Sequence, residues 1–597
     1  MVRNELVPEQ RPWSFALALW PFYLAFLALP LVTATFLVAG AARLADWPEL
    51  PGPLLRLTAL ATAVVVGFEN AQWLGRAFSG LPGPGRHRAL LPLCLLLVLA
   101  GFLVAALSRL ERKAPLRLLT GASLLAFLVA EWPSPARPAP SASARAMPRP
   151  LGANAPTAPP RFLLFGLDGA DWRYAEPLLA RGELPNLAGL RARGVFGPLK
   201  SMRPTGSPII WTTVATGQPP EVHGIEAFTI RQVRGVNEAL PARLRGIRGL
   251  GFRSLEALLE RFQLIHTAPV AGTARRVPAY WDIASRFRSP VTVLNWWATW
   301  PAEPVLGAMV SERLYFWRFA ERGHRTAAVA LIHPPELLER LRGLVMRPDE
   351  VGYDAARRFM DVLPAEFEAM KTAPFDGRIR TEFRYLFSML ETNRRIAPVL
   401  MEWSRRQYGQ TADLLMIERA VDIACHDALR ESELVQDHLG ATPDGMERFS
   451  RVVTEAYRSA DRVLGELMAA FGEGNVLVIS DHGFELEREG LPQFWQYNHS
   501  QAPDGIFVAA GPAFGHGPVE GLSVYDMLPL LLFLKGFPIA EDLPGRLPRE
   551  VFAQELRRRP ATSVPSYGTR ERSGAWSGPP AMDEEMLERL RALGYVQ

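Results

Sequence analysis

Three aspartates each follow a short apolar run, and this pattern restricts the fold more than any other feature of the sequence. FLLFGL ends at Asp168, LLMIERAV leads into Asp422, and VLVIS ends at Asp481. In an open α/β sheet the carboxyl ends of the strands form the ligand crevice, so acids from distant stretches can converge there. We therefore predict an α/β fold with one acidic site at an edge of its sheet.

Histidines accompany two of these aspartates. His426 follows Asp422 by one helical turn, His482 follows Asp481 directly, and His499 comes soon afterwards. Taken singly, each residue has an ordinary structural explanation, such as a solvated helix face. Together they form a set of carboxylates and imidazoles without thiolates, which suits zinc and tolerates manganese. The set predicts a site for two divalent metal ions.

A candidate nucleophile lies between the first aspartate and the others, in SMRPTGSPIIWTTVATG. Ser207 stands directly before Pro208, and proline is favoured in the first turn of a helix. We therefore predict that Ser207 is the N-cap of a helix, whose N–H groups and dipole favour an anion. Thr205 is the alternative nucleophile, although no proline follows it. Asp171, close to Asp168, is predicted to be a helix cap.

These motifs, in this order, resemble the alkaline phosphatase superfamily, in particular its type I phosphodiesterase/nucleotide pyrophosphatase branch. The motifs that carry the resemblance are GLDGADW, LPNLAGLRARG, the Ser207 turn running to ATGQPPEVHG, DIACH, SDHGFE and NHSQAPDGIFVAAGP. The resemblance covers roughly residues 161–540 and implies an alkaline-phosphatase-like central mixed sheet flanked by helices. His223, in EVHG, matches a family histidine that shapes the turn after the nucleophile helix, and we predict a structural role for it.

The resemblance also implies the roles of the site residues. One ion would be held by Asp422, His426 and His499, and the other by Asp168, Asp481 and His482 together with Ser207. The implied activity is that of a phosphoric ester hydrolase, either a phosphodiesterase or a phosphomonoesterase. Ser207 would attack phosphorus and form a phosphoseryl intermediate, which water releases in hydrolysis and an acceptor alcohol in transfer.

Departures from the family pattern limit the substrate. Nucleotide pyrophosphatases of this branch carry a threonine nucleophile and a nearby asparagine, whereas Pro-Ile-Ile follows Ser207 here. Nucleotide specificity is therefore not implied. The C/S-x-P-x-R turn of sulfatases is also missing. Two alternatives stay open: a phosphoryl-group transferase acting on lipid or surface glycan, and a non-enzymatic membrane scaffold.

The N-terminal region is predicted to be an all-α membrane anchor. Uncharged runs extend from Arg11 to Arg43 and from Arg88 to Arg109. About 20 apolar residues suffice to cross a bilayer. With weaker apolar stretches at about 53–73 and 116–132, residues 1–133 are expected to form three or four transmembrane helices. The basic residues of the two loops nearly cancel; we expect four spans, with the second basic loop in the cytoplasm and the catalytic domain extracytoplasmic.

Composition divides the rest of the chain. Residues 134–160 lack Asp and Glu and are dense in Pro, Ala and Ser, which predicts a linker. A catalytic domain is expected at 161–557, followed by a linker and a C-terminal helix at 558–597. The net charge of +5 comes with scattered arginines, so no nucleic-acid-binding motif is expected.

The middle of the catalytic domain, about 230–410, is rich in arginine, aromatic residues and helical patterns. We predict that it is a helical and aromatic insertion that covers the site and forms the substrate wall. The alternative is that its tryptophans, Trp296, Trp297 and Trp300, only pack in the core.

Overall fold

The computed structural model of the protein describes residues 160–570, except for 204, 234–264, 318–330, 374–378, 437, 439–440, 488–495 and 500–501, together with residues 586–587. The predicted transmembrane region, nearly all of the 134–160 linker and most of the predicted C-terminal helix lie outside the described residues. Among the helices that are described, none has the length and apolar character needed to cross a membrane.

Strands and helices alternate along the described chain. The strands are β1 (Phe162–Leu167), β2 (Gly194–Lys200), β3 (Thr229–Val233), β4 (Ile265–Pro269), β5 (Val291–Trp296), β6 (Gly307–Ser311), β7 (Ile332–His333), β8 (Asp413–Glu418), β9 (Asn475–Ile479), β10 (Glu485–Glu487), β11 (Gln496–Asn498), β12 (Gly505–Ala510), β13 (Gly517–Pro518), β14 (Leu522–Ser523), β15 (Ile539–Ala540) and β16 (Ser563–Val564). The helices are α1 (Trp172–Ala180), α2 (Pro185–Ala192), α3 (Ser207–Thr216), α4 (Pro220–His223), α5 (Tyr280–Arg286), α6 (Leu314–Trp317), α7 (Leu337–Leu341), α8 (Tyr353–Phe359), α9 (Pro364–Thr372), α10 (Ile379–Tyr408), α11 (Ala420–Ala428), α12 (Pro443–Phe449), α13 (Val452–Phe471), α14 (Met527–Lys535) and α15 (Gln554–Arg557).

A ten-stranded mixed sheet forms the centre of the fold, in the order β13-β2-β12-β9-β1-β8-β5-β6-β7, with β14 also paired to β2. β1 pairs in parallel with β8 and β9, and β5 pairs in parallel with β8 and β6. β12 runs antiparallel to both β9 and β2. The predicted mixed α/β fold with a large central sheet and flanking helices is confirmed.

The central strands are buried along their whole length. Every residue of β1, β5, β8 and β9 is buried. Strands of a parallel sheet are covered on both faces by helices, which is why their sequences are continuously apolar rather than alternating. Helices α10, α11 and α13 pack on one another, and α10 packs against β5 and β8 while α13 packs against β1.

Strand direction brings the predicted site segments to one edge of the sheet. β1, β5, β8 and β9 are parallel, so their carboxyl ends lie together. β12 is antiparallel to β9 and therefore begins at this edge, whereas β2 is antiparallel to β12 and ends there. All the segments that carry candidate site residues begin or end at this edge, as expected for the ligand crevice of an open α/β sheet.

The 230–410 stretch is not wholly an insertion, which corrects the sequence-based interpretation. It supplies β5, β6 and β7, which extend the central sheet beyond β8. Trp296, at the end of β5, is fully buried and packs edge-on against Trp211 and Trp281, with ring centroids 5.2 and 6.0 Å apart. A buried strand and a buried aromatic cluster make this part of the stretch core.

Gly166 of β1 allows α3 to approach the sheet. A Cβ at this position would lie 2.6 Å from Cη2 of Trp211 and 3.0 Å from the carbonyl oxygen of Met416. Trp211 belongs to α3 and is fully buried, so it has no free volume into which to move. The helix that begins with Ser207 is therefore positioned by the absence of a side chain at Gly166.

Gly166→Ala is expected to lower the free energy of unfolding by about 1–3 kcal/mol, because overpacking a dense core forces side chains and backbone to shift. Urea titration of the full-length protein measures this. Gly343→Ala is the control, since a Cβ there meets nothing within 4 Å, and it should change stability by less than about 0.5 kcal/mol. Equal effects of the two changes would contradict the proposed close packing.

Candidate active site

Four buried residues surround one point at the sheet edge. Asp168 directly follows β1, and its backbone N–H donates to the carbonyl oxygen of Glu418 at 2.9 Å. The Ser207 hydroxyl donates to Asp168 Oδ1 at 3.2 Å, and its Oγ lies 3.3 Å from His482 Nε2. His482 Nε2 also lies 3.3 Å from Asp481 Oδ2. The structure thus brings the predicted nucleophile, two acids and one histidine together.

The remaining candidate ligands lie beside this group. Asp422 and His426 are on α11, with Oδ1 and Nε2 3.6 Å apart. The ring of His499 stacks on His482 with centroids 4.1 Å apart and lies edge-on to His426 at 5.0 Å. All seven residues predicted from the sequence are therefore neighbours.

Backbone carbonyl groups orient two of the histidines. His499 Nδ1 lies 3.1 Å from the carbonyl oxygen of Thr205, and His482 Nδ1 lies 3.1 Å from that of Gly483. A carbonyl oxygen can only accept, so each Nδ1 carries the proton and each Nε2 carries the lone pair. Metal-ligating histidines are held in this way, because the second ring nitrogen fixes tautomer and orientation.

Two groups of side chains are compact enough to hold a metal ion. Within each group, one ligand atom per residue lies within 4.8 Å of the others: Asp168, Asp481 and His482 in one, and Asp422, His482 and His499 in the other. The first group coincides with one of the sets implied by the sequence. In the second, His482 occupies the place that the resemblance gives to His426.

The electrostatics of the site fit a divalent cation. Burial, together with the neighbouring charge of Asp168, raises the pKa of the Asp481 carboxyl well above its usual range. Burial lowers the pKa of His426 to about 3 and that of His499 well below its usual value, so both imidazoles are in the neutral form that binds metal. Clustered carboxylates gain from a cation between them, and oxygen and imidazole donors are ligands that zinc accepts.

Ser207 is the first residue of α3 rather than its N-cap, which is Gly206. The prediction was wrong by one position for a physical reason. The Gly206 carbonyl accepts from the N–H groups of Ile209 and Ile210, while the Ser207 side chain turns away from the helix toward Asp168. The alternative nucleophile, Thr205, donates its hydroxyl to the carbonyl of His499 and so helps to hold that loop.

The two residues predicted to be structural are confirmed as such by their contacts. Asp171 caps α1 by accepting from the backbone N–H of Arg173 at 2.7 Å. Buried His223 accepts from the Ile225 N–H at Nδ1 and contacts the Thr213 hydroxyl through Nε2, both at 3.1 Å. It therefore ties the turn after α3 to the helix itself.

Trp297 is a site residue that the sequence left undecided between substrate wall and core packing. Its indole N–H donates to Asp168 Oδ2 at 3.1 Å, while the ring is buried and lies edge-on to Phe228 at 5.6 Å. It directly follows β5, so the strand-end pattern that marks the aspartates also marks Trp297. The turn is strained: Asn295 and Ala298 have φ of 56° and 53°. Such strain concentrates at functional sites.

The fold and the site define an α/β enzyme with a buried serine among acids and histidines. The profile of the family described as type I phosphodiesterase / nucleotide pyrophosphatase matches residues 162–492, more than half of the chain. The chain therefore belongs to this family and is a hydrolase of the nucleotide pyrophosphatase/phosphodiesterase type.

One solved structure similar to this chain is murine ectonucleotide pyrophosphatase/phosphodiesterase 5, an inactive variant in complex with AMP. It has 14% sequence identity and a TM-score of 0.33, and the match covers 65% of this chain and 97% of that chain. Among curated proteins, no sequence matches this chain. The family assignment rests on the profile match.

Trp297→Phe is expected to lower the affinity for Zn²⁺ by about 10–100-fold, because a group that hydrogen-bonds a metal ligand fixes its orientation. Calorimetric titration of the metal-free full-length protein measures this. Trp172→Phe is the matched control, since its indole donates to the Gly197 carbonyl at 2.8 Å instead of to a candidate ligand. Unchanged affinity in the Trp297 variant, or an equal loss in both, would contradict the role.

His223 is expected to make stability sensitive to acid. Burial lowers its pKa to about 3, whereas the pKa of a histidine in the unfolded chain is about 6.5. The unfolded state therefore binds more protons between these values, and the stability present above the higher pKa is lost as pH falls. His223→Asn keeps an acceptor for the Ile225 N–H but cannot titrate. We expect the free energy of unfolding, measured with urea between about pH 7.5 and 5.5, to fall more steeply with decreasing pH in the parent than in this variant. The difference in slope should be up to about 1.4 kcal/mol per pH unit. Identical slopes would refute this.

Proposed function

We propose that the protein is a membrane-anchored, metal-dependent phosphoric ester hydrolase in which Ser207 carries the phosphoryl group as a covalent intermediate. One observation carries the proposal: the fully buried Ser207 Oγ lies 3.2 Å from Asp168 Oδ1 and 3.3 Å from His482 Nε2 at the start of α3. Membership of the phosphodiesterase family supports the reaction class.

Two divalent ions fit the donors at this site, with zinc favoured by the oxygen and imidazole ligands and manganese tolerated. One ion would be held by Asp168, Asp481 and His482, and the other by Asp422, His499 and His426. When bound, such ions stabilise the charge that develops on phosphoryl oxygens.

The chain's own groups prepare the serine for attack. Asp168 Oδ1 accepts from the Ser207 hydroxyl, so the Oγ lone pairs point away from Asp168. The first turn of α3 presents its positive dipole end to the same region, which stabilises negative charge on Oγ and on the phosphoryl group. As Oγ bonds to phosphorus, its proton passes to Asp168 and the ester P–O bond breaks, so that the leaving oxygen takes up a proton and departs as an alcohol. Water later cleaves the phosphoserine, which releases the phosphate product and restores the Ser207 hydroxyl.

The anchor and the location are part of the same proposal. The uncharged apolar runs of residues 1–133 support three or four transmembrane helices, and the loop charges favour a catalytic domain on the extracytoplasmic side. The bilayer and a phosphate ester are then the partners of the protein.

The test uses the full-length protein in detergent with bis(p-nitrophenyl) phosphate and p-nitrophenyl phosphate. Ser207→Ala should lower kcat/KM by about 1,000-fold or more, because Ser207 is the described hydroxyl that contacts both Asp168 and His482 and would carry the phosphoryl group. Chelation should abolish activity in the parent, and Zn²⁺ or Mn²⁺ should restore it. Acid quenching followed by mass spectrometry should find phosphate on the peptide that contains Ser207.

Ser388→Ala is the matched control, since this buried hydroxyl donates to a backbone carbonyl within α10. It should leave activity within about threefold of the parent. The proposal fails if Ser207→Ala binds its full complement of metal and still hydrolyses both esters, or if chelation leaves the rate of the parent unchanged.

A further inference from the structure

Arg419 is a buried cation with few partners. It directly precedes α11 and is 4% exposed. Its Nη2 donates to the carbonyl oxygen of Asn295 at 3.1 Å, and its guanidinium lies 3.8 Å from the centre of the Trp297 ring. Its Nε is buried without a hydrogen-bond partner, as are those of Arg275 and Arg313. No described carboxylate comes within the ion-pair distance of 4.0 Å of Arg419, and the nearby buried Glu418 acts on its charge only through space. Burial of a charge in this state is costly unless a partner arrives.

A second buried arginine shows what a purely structural one looks like in this fold. Arg275 donates to Asp282 at 2.7 Å and to Glu303 at 2.5 Å, so its charge is neutralised within the protein. Arginine offers five N–H donors in a planar fork that matches a carboxylate or a phosphate. The fork of Arg275 is occupied by protein acids, whereas that of Arg419 is not.

The guanidinium lies one indole ring away from the proposed reaction centre. The Trp297 ring on which it stacks donates to Asp168, and Asp168 in turn accepts from Ser207. The Asp168 carboxylate thus accepts one hydrogen bond on each oxygen, from Ser207 and from Trp297, and it forms no ion pair with Arg419 within 4.0 Å. The strained turn at Asn295 and Ala298 holds Trp297 and the Arg419 acceptor together, so the cation is fixed in place before substrate arrives.

We propose that Arg419 recognises the substrate by binding a second negative charge on the phosphoric ester. This inference rests on the proposed function and names the substrate class for that site: esters with two negative charges. The second charge belongs either to the phosphoryl group of a monoester or to an acidic group elsewhere in a diester. Both present oxygens that a guanidinium binds through paired hydrogen bonds.

Three chromogenic esters distinguish these sources in the full-length protein. They are p-nitrophenyl phosphate, methyl p-nitrophenyl phosphate and 2-carboxyethyl p-nitrophenyl phosphate, of which only the methyl diester has a single charge. Arg419→Met should lower kcat/KM for a doubly charged ester by about 10–100-fold and for the methyl diester by less than about threefold. The doubly charged ester with the larger loss identifies the source of the second charge.

Arg419→Lys tests the same point with the charge retained. Lysine cannot form the paired hydrogen bonds, so an intermediate loss of about tenfold is expected for the doubly charged ester alone. If Arg419→Met does not fold, the lysine variant decides. An equal loss on all three esters, or no loss, in the variant that folds overturns the inference.

Arg313→Met is the matched control, because Arg313 is also buried and its guanidinium lies 4.0 Å from the centre of the Trp300 ring. It should leave the ratio of the three rates unchanged, and a matching change in this variant would overturn the inference.

Metal content and the Ser207→Ala variant separate the two proposals. If the parent hydrolyses none of the esters, or Ser207→Ala hydrolyses all of them, the proposed function fails. If the parent is active, Ser207→Ala is inactive and Arg419→Met leaves the ratio of the three rates unchanged, then only the inference about Arg419 fails.

Discussion

The parallel pairing of β1 with β8 on one side and β9 on the other is the interaction on which the site depends. It sets β1 in register with two segments that follow it by more than 200 residues in the sequence, so that all three end at one edge. Close backbone approach completes the arrangement. Gly169 has a φ of +74°, and a Cβ there would lie 2.9 Å from Cα of Asp422 and 2.8 Å from the ring of Phe484. Any side chain at this position would separate the acids.

The same convergence places three carboxyl groups close together in a buried environment, which is electrostatically unfavourable. Asp168, Asp422 and Asp481 are buried among imidazoles that burial keeps neutral. Single N–H groups relieve part of the strain: the backbone of Gly169 donates to Asp481 at 3.3 Å, and the indole of Trp297 donates to Asp168. A hydrogen bond to a charged group contributes about 1.5–3 kcal/mol. These bonds do not offset the burial of the carboxyl cluster, in which burial and the charge of Asp168 already raise the pKa of Asp481. Cations between the acids would supply the missing compensation.

Local sequence predicted those parts of the site whose signal is local. Asp168 and Asp481 end apolar runs, and the chemistry of a strand end can be seen in a few residues. The N-cap was predicted one residue too late because the Ser207 side chain contacts Asp168 and His482, which are distant in sequence, instead of capping the helix. Trp297 could not be assigned for the same reason. Its contact with Asp168 depends on the pairing of β5 with β8 and of β8 with β1. The paired residues of β5 and β8 are about 120 positions apart, so no local sequence pattern predicts this pairing.

The two buried arginines show how surroundings give one residue type different roles. Glu303 accepts from Arg275 and, through its other oxygen, forms an ion pair with Arg570 at 2.8 Å, so that the cluster ties residue 570 to the middle of the catalytic domain. The Arg570 backbone N–H donates to the carbonyl oxygen of Arg276, and the Arg276 N–H donates to the carbonyl oxygen of His223, in the turn after α3. Those charges are satisfied within the protein and stabilise it. Arg419 is similarly buried, and among the described residues no carboxylate lies within 4.0 Å of it. A buried charge that no described acid pairs at this distance favours a counterion that the substrate brings.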